Sequence, residues 1–226
     1  MNILESIKGK VIVSVQAMPG EPLYKEECMK AMMASVVNGG ASALRVAGVR
    51  DIKNAKEFGL PVIGITKPDK LPDNWLDVVY ISATKDDIIK IIYAGADIVA
   101  FDGTNRKRPD GSNIEEIISI IHENNRIAMA DISTLEEGIS CAEAGCDIIS
   151  TTLSGYTSHS LKQNTEPDFD LLKQLNDRIS RPVILEGRIW EPSHVKKAFL
   201  LGAHSVVIGS AITRPQLITK RFTEGF

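Results

Sequence analysis

The sequence predicts an α/β barrel of eight parallel strands, the (β/α)8 or TIM-barrel fold, and three observations carry that expectation. Short apolar runs rich in valine and isoleucine alternate eight times with longer segments of helical periodicity. The runs are continuously apolar rather than alternating, as strands covered on both faces must be, and eight such strands close naturally into a barrel. Three helix ends also share one wording, IIYAGADIV, CAEAGCDII and AFLLGAHSVV: a helix closing on glycine, a small residue, a polar residue, then a buried strand. A doubly wound open sheet is the alternative that the same alternation allows.

Taken in chain order, residues 1–8, apolar at Ile3, Leu4 and Ile7, predict a short helix closing the barrel's bottom. VIVSVQ (11–16) is strand one, β-branched nearly throughout, and a helical pattern follows near 24–38. ALRVA (43–47) precedes a helix near 50–58. PVIGITK (61–67) then ends on a lysine immediately before Pro68, which has no N–H with which to extend a ladder. DVVYIS (77–82) is strand-like, and its place in a long connection marks it as an excursion and not a ninth barrel strand. DIVAFD (97–102), RIAMAD (126–131) and DIISTTL (147–153) are strands four to six, with helices near 84–94, 113–124 and 134–144 around them. PVILEG (182–187) and SVVIGS (205–210) complete the set, with helices near 168–178, 192–201 and 214–224. No linker, low-complexity tract or charge block divides the chain, so residues 1–226 are expected to form a single barrel domain.

The formal charge of -3 and pI near 5.9 leave no basic excess to draw nucleic acid or an anionic membrane. No apolar run approaches the roughly 18 residues that span a bilayer, and MNILESIKGK lacks the apolar core of a signal peptide. Cys28, Cys141 and Cys146 show no CxxC spacing, which predicts no metal site and a reduced, cytoplasmic protein with cysteines as small core residues. A homo-oligomer is compatible with the sequence, which locates no surface patch.

Barrel enzymes carry their chemistry at the C-terminal ends of the strands. Here those ends deliver Gln16, Arg45, Lys67, Asp102, Asp131, Thr151 with Thr152, and Glu186. Side chains alternate along a strand, so Lys67 shares a face with Ile65 and Ile63, Asp131 with Met129, Glu186 with Ile184, and Gln16 with Ser14. Gln16, Lys67, Asp131 and Glu186 come from strands one, three, five and seven, and a barrel layer takes four side chains from alternate strands. The four are therefore expected to form one polar layer capping an apolar core. A lone acidic strand end is often just a helix cap, but four polar ends in one register are not explained that way.

EGRI (186–189) and GSAITRP (209–215) place Gly187 and Gly209 directly after strands seven and eight, where backbone N–H groups of this fold seat a phosphate. Ser210 follows Gly209, a helix N-terminus just beyond adds a favourable dipole, and Arg188 and Arg214 can add charge-assisted contacts. The barrel is thus expected to be of the phosphate-binding type. His159, after strand six, is placed to face the site; His122 and His204 lie away from it, His194 decorates the helix after strand seven, and Trp75 and Trp190 are isolated.

QAMPGEPLY (16–24), VIGITK (62–67), MADIST (129–134), TTLSGYT (151–157), ILEGRI (184–189) and GSAITRPQLITKRF (209–222) together closely resemble the N-acetylmannosamine-6-phosphate 2-epimerase family, in order along nearly the whole chain. The resemblance implies a cytoplasmic, cofactor-independent isomerase of amino-sugar and sialic acid catabolism acting on a sugar phosphate. It implies Lys67 and Glu186 as the catalytic pair, with Gln16, Arg45 and Asp131 holding the sugar. Pro68, the VAGV after Arg45, and Ser150 depart from the usual family wording beside the site.

Epimerisation at C2 needs an opened sugar, a base for the C2 proton and a stabilised oxyanion. A lysine base must be neutral, which requires its pKa to fall by about three units, or about 4 kcal/mol. Burial at an apolar strand end and a neighbouring Arg45 both push that way. Two further readings remain at this stage: a Schiff-base aldolase using Lys67, and a catalytically silent sugar-phosphate binder.

Overall fold

The computed structural model describes residues 2–161 and 165–224. Eight parallel strands, β1 (Val11–Val15), β2 (Leu44–Ala47), β3 (Val62–Ile65), β4 (Ile98–Asp102), β5 (Ile127–Asp131), β6 (Ile148–Ser150), β7 (Val183–Glu186) and β8 (Ser205–Ile208), pair in chain order and close β8 onto β1. Followed once round the barrel, the register slips eight residues. That is the shear of a barrel whose interior is filled by side chains rather than left as a pore.

The alternation along each strand divides the core in two. Ile12, Ile63, Ile65, Ala100, Met129, Ile148, Ile184 and Val207 point inward and fill the barrel. Val13, Leu44, Val62, Val99, Ala130, Ile149, Leu185 and Val206 point outward against the helices. Each fully buried isoleucine of either group contributes about 2 kcal/mol of burial. Gly64 on β3 is small because a Cβ there would lie 2.7 Å from Ile91, 2.8 Å from Ala96 and 2.9 Å from Ile52.

Helix α1 (Ile3–Ile7) starts at Asn2, whose side chain accepts from the Leu4 N–H at 3.0 Å, and buries Ile7 in the barrel's floor. The outer ring is α2 (Glu26–Asn38), α3 (Val49–Lys56), α4 (Lys85–Ala94), α5 (Ile114–Glu123), α6 (Leu135–Glu143), α7 (Phe169–Arg178) and α8 (Pro192–Leu200). Capping boxes at Thr84–Asp87, Asn113–Glu116 and Thr134–Glu137 satisfy the first N–H groups of α4, α5 and α6.

Two expectations change. The helix expected over 214–224 is present as α10 (Pro215–Thr223), with Pro215 in its first turn, but a short helix the sequence did not announce, α9 (Ser210–Thr213), precedes it and takes Ser210 out of the strand expected over 205–210. Several strands also stop a residue or more before the predicted end, so that Gln16, Lys67 and Thr152 sit just above the ladder at the mouth. The segment 77–82 is indeed no barrel strand. It docks at the top of the seam between β3 and β4, whose register pairs are Ile63 with Ile98 and Gly64 with Val99.

Candidate active site

The C-terminal mouth holds a cavity of about 440 Å³, and Lys67, Gln16, Thr152 and Glu186 face it. Lys67 follows an all-buried strand, so its ammonium is carried to the mouth on a rigid apolar stem. Its Nζ donates to Gln16 Oε1 at 2.8 Å, and Gln16 Nε2 donates to Ser14 Oγ at 2.8 Å. The lysine is thus aimed by β1 as well as by its own strand.

Beneath lies a buried ion cluster. Arg45 forks onto Asp131, with Nη1 to Oδ1 at 3.0 Å and Nη2 to Oδ2 at 2.6 Å, and its Nη1 is 3.0 Å from Glu186 Oε2. Thr152 Oγ1 lies 2.6 Å from Asp131 Oδ1 and 3.2 Å from Glu186 Oε2. The Arg45 side chain is 1% exposed and Asp131 0%, whereas Glu186 opens onto the cavity. The four residues predicted from parity all point inward but do not form the single layer expected: Gln16 pairs with Lys67 at the mouth, while Asp131, buried off the cavity, is joined to Glu186 by Arg45 and Thr152 from even-numbered strands.

The electrostatics follow from burial. Desolvation, with help from the Arg45 charge, pulls Lys67 down from 10.5 to about 8, against the opposing pull of Glu186 and Asp131. Desolvation pushes Glu186 up from 4.5 to about 7; Asp131 adds to the push, while Arg45 restrains it. Burial works against charge on Arg45, yet Asp131 and Glu186 outweigh it and hold the guanidinium firmly protonated. A base and an acid whose pKa values differ by about one unit can exchange a proton for about 1.4 kcal/mol. Such a pair suits acid–base chemistry near neutral pH.

Some expected roles shift. Arg45 and Asp131 were expected to hold the substrate, but they do not line the cavity. They are the floor under Lys67 and Glu186, because Arg45 pairs in register with Ser14 and Ile63, residues set below Gln16 and Lys67 on their own strands. Arg188 lines the cavity but its guanidinium is committed elsewhere: Nε donates to the Glu166 carbonyl at 2.8 Å and Nη1 to the Ser154 carbonyl at 2.7 Å. It fastens the loop after β6 to the loop after β7. His159 does not reach the cavity; its ring lies against Glu137 and Ser133, both at 3.2 Å.

The other end of the cavity is built from Gly187, Gly209, Ser210 and Arg214. Gly187 holds φ +107, a conformation open to glycine, and turns the backbone around the rim. A Cβ on Gly209 would lie 3.4 Å from Ser14, where β8 meets β1. Arg214 Nη2 pairs with Glu21, and its Nε is buried without a partner among the described residues. An oxyanion is the natural complement of that group.

Sequence reasoning did not assign Tyr80, Ile81, Leu153 or Tyr156 to the site and read Trp190 as isolated, yet all five line the cavity. All five lie on connections whose course is set by tertiary contacts, and the YI of DVVYIS was the one visible hint. Among the described residues no cluster of three or more His, Cys, Asp or Glu is placed to hold a metal ion.

Comparison with known proteins adds to this geometry. The family model NanE, described as "Putative N-acetylmannosamine-6-phosphate epimerase", matches residues 29–226. Curated relatives from several bacteria carry the name "Putative N-acetylmannosamine-6-phosphate 2-epimerase". The one from Clostridium perfringens strain 13 is 47% identical over 224 residues, covering 98% of this chain and 99% of the relative. The one from Clostridioides difficile strain 630 is 44% identical over 223 residues, covering 98% of each. The solved structure of the N-acetylmannosamine-6-phosphate 2-epimerase from Clostridium perfringens superposes with a TM-score of 0.94 at 46% identity, over 100% of this chain and 97% of that one. Deoxyribose phosphate aldolase from Aeropyrum pernix, at 13% identity and TM-score 0.66 over 100% and 98% of the two chains, shares the fold alone.

Proposed function

The chain belongs to the N-acetylmannosamine-6-phosphate 2-epimerase family, and from that premise we propose that it interconverts N-acetyl-D-mannosamine 6-phosphate and N-acetyl-D-glucosamine 6-phosphate by proton transfer at C2. The observation that carries the reading is the Lys67–Glu186 pair, tuned from opposite directions toward neutral pH beside a cavity that ends in two glycine loops and Arg214.

The steps follow from that geometry. The phosphate sits at Gly187, Gly209, Ser210 and Arg214, which anchors the far end of the sugar and leaves its C1–C2 end at Lys67. The hemiacetal opens to the C1 aldehyde, and Glu186 relays the proton that ring opening displaces. Neutral Lys67 takes the C2 proton, and the electron pair moves into a C1–C2 enolate that keeps the acetamido nitrogen on C2. The protonated Glu186 carboxyl delivers a proton to the opposite face of C2, and the Lys67 ammonium then gives its proton back to the Glu186 carboxylate by way of solvent. Oxidation states at start and finish are equal, so the chemistry needs no redox partner. Arg45 acts through its fixed charge, holding Lys67 low and Glu186 from rising further. Gln16 and Thr152 present polar groups to the hydroxyl and amide of the substrate.

The proposal extends to setting. Cys141 and Cys146 are buried, with the Cys141 thiol pushed by burial up to about 12, which supports a reduced, cytoplasmic protein of amino-sugar catabolism. Helix α10 buries no residue and leaves Phe222 exposed, while an apolar groove lined by Val13, Val36, Trp190, Val195 and Ile208 lies outside β1 and β8. Both features support association of copies, which sedimentation of the purified protein reads directly.

Proton NMR of N-acetylmannosamine 6-phosphate incubated with the protein tests the reaction. The 2-epimer accumulates if the reading is right. No epimer, together with a borohydride-trapped adduct on Lys67, makes the site an aldolase; neither epimer nor adduct makes it a binder.

A further inference from the structure

The segment 77–83 is the strand-like motif that the reaction above leaves without a role. It does more than fill the wall. β3 runs out of β4 partners above Gly64, so the top of β3, which carries Lys67, has one side open at the seam. Ser82 takes the missing place. The Thr66 N–H donates to Ser82 Oγ at 3.2 Å and the Thr66 carbonyl accepts from the Ser82 N–H at 3.0 Å, so the residue before Lys67 has both backbone groups on one serine.

Ser82 is itself over-determined. It is 0% exposed and holds φ +44, the left-handed region that a non-glycine residue keeps only when its surroundings impose it. Arg108 Nη1 donates to the Ser82 and Ala83 carbonyls at 3.1 and 3.2 Å, and its Nη2 donates to the Asp102 carbonyl at the end of β4. The Asp102 N–H donates in turn to the Ile81 carbonyl at 3.3 Å. Arg106 clamps the outer part of the segment, with Nη1 at 3.2 Å from the Trp75 and Leu76 carbonyls and Nη2 at 2.6 Å from Asp102 Oδ2. The buried Asp102 carboxylate, expected at a strand end and unused by the chemistry, has its place here.

We propose that Ser82 and Arg108 are positioning residues for the reaction: they splice residues 79–83 into the β3–β4 seam as a substitute strand end and thereby fix the backbone from which Lys67 reaches C2. The inference rests on the catalytic reading of Lys67. Its distinctive content is that a serine and an arginine that touch no substrate control the placement of the base.

The test is steady-state kinetics against pH on wild type, Ser82→Ala, Arg108→Lys, Asp110→Asn and Lys67→Ala. Asp110 holds the Lys85 N–H at 2.8 Å at the far end of the same connection and serves as the control for loosening it without touching Thr66. Ser82→Ala and Arg108→Lys lower kcat by about 10–100-fold with KM changed less than about 3-fold, because the base is displaced while the phosphate seat at Gly187, Gly209, Ser210 and Arg214 follows β7 and β8, outside this seam. In both, the pH limb near 8 moves upward by about half a unit or more as Lys67 regains solvent. The groups facing Lys67 from the neighbouring strands and loops, Arg45, Glu186, Asp131 and Arg214, are unchanged in these variants. Asp110→Asn keeps kcat and the limb. A folded Ser82→Ala enzyme with wild-type kcat and limb overturns the inference, as does a loss that Asp110→Asn shares. Should Ser82→Ala not fold, an unmoved limb in Arg108→Lys overturns it alone. Undiminished turnover in Lys67→Ala sinks the catalytic reading instead, whatever the serine variant does.

Discussion

Replacing Lys67 by methionine is expected to make the protein more stable at neutral pH while removing its activity. In the fold the lysine's pKa falls from 10.5 to about 8, which corresponds to about 3.4 kcal/mol against keeping the ammonium there. The side chain keeps a partial opening to the cavity, and screening by water brings the working figure to about 2–3 kcal/mol. Between pH 8 and 10.5 the unfolded chain holds a proton that the folded chain has released. Stability therefore climbs with pH across that window, and the cost is fully present below it. Methionine keeps the volume and the apolar stem without the charge. It loses the hydrogen bond to Gln16, worth about 1 kcal/mol, although Gln16 faces the cavity and finds water. The net expectation at pH 7 is a gain of about 1–2 kcal/mol, or about 3–6 °C in Tm for a chain of this size. Urea unfolding followed by the fluorescence of Trp75 and Trp190 at pH 7 and at pH 10.5 measures it. The gain should vanish at the higher pH, and turnover should fall by about 10³-fold or more. A variant that is no more stable than wild type at pH 7, or a gain that does not change with pH, refutes the reasoning.

Four other outcomes follow from the same geometry. The pH profile of kcat/KM should be a narrow bell with limbs near 7 and 8, and Glu186→Gln should leave a single ascending limb below 8, because the Glu186 charge raises Lys67. Asp131→Asn strands Arg45 in the floor and should cost about 3–5 kcal/mol in denaturant unfolding; it also lowers the limb near 7, since Asp131 pushes Glu186 up. Arg214→Met should raise KM for the phosphorylated sugar about 10-fold or more while leaving kcat near wild type, measured over a substrate titration. Gly64→Ala forces a Cβ within 2.7–2.9 Å of Ile91, Ala96 and Ile52 and should lower stability by about 1–3 kcal/mol in thermal melts.

Much of this was legible in the chain because barrel geometry ties sequence parity to depth. A run such as VIGITK shows by its continuous apolarity that it is buried on both faces, and the period of two then puts Lys67 inward with Ile63 and Ile65. Parity likewise turns Gln16, Asp131 and Glu186 inward. What parity does not contain is height: the register sets Arg45 level with Ser14, so it became the floor and not a substrate contact. Connections were the less readable part. Tyr80 and Tyr156 reach the cavity because Arg106, Arg108 and Arg188 hold their segments by backbone carbonyls, and carbonyl acceptors leave no mark on a sequence. The short helix α9 over Ser210–Thr213 was also unread, because four residues show no helical period, whereas Pro215 did mark the start of α10.

The central claim is that Lys67 carries the C2 proton. Turnover in deuterium oxide, with deuterium at C2 followed by NMR in both directions for wild type, Glu186→Gln and Lys67→Ala, tests it most directly. The account predicts that wild type places solvent deuterium at C2 of the product, that Glu186→Gln does so slowly, and that Lys67→Ala neither epimerises nor exchanges. Exchange at C2 in Lys67→Ala at the wild-type rate would contradict it.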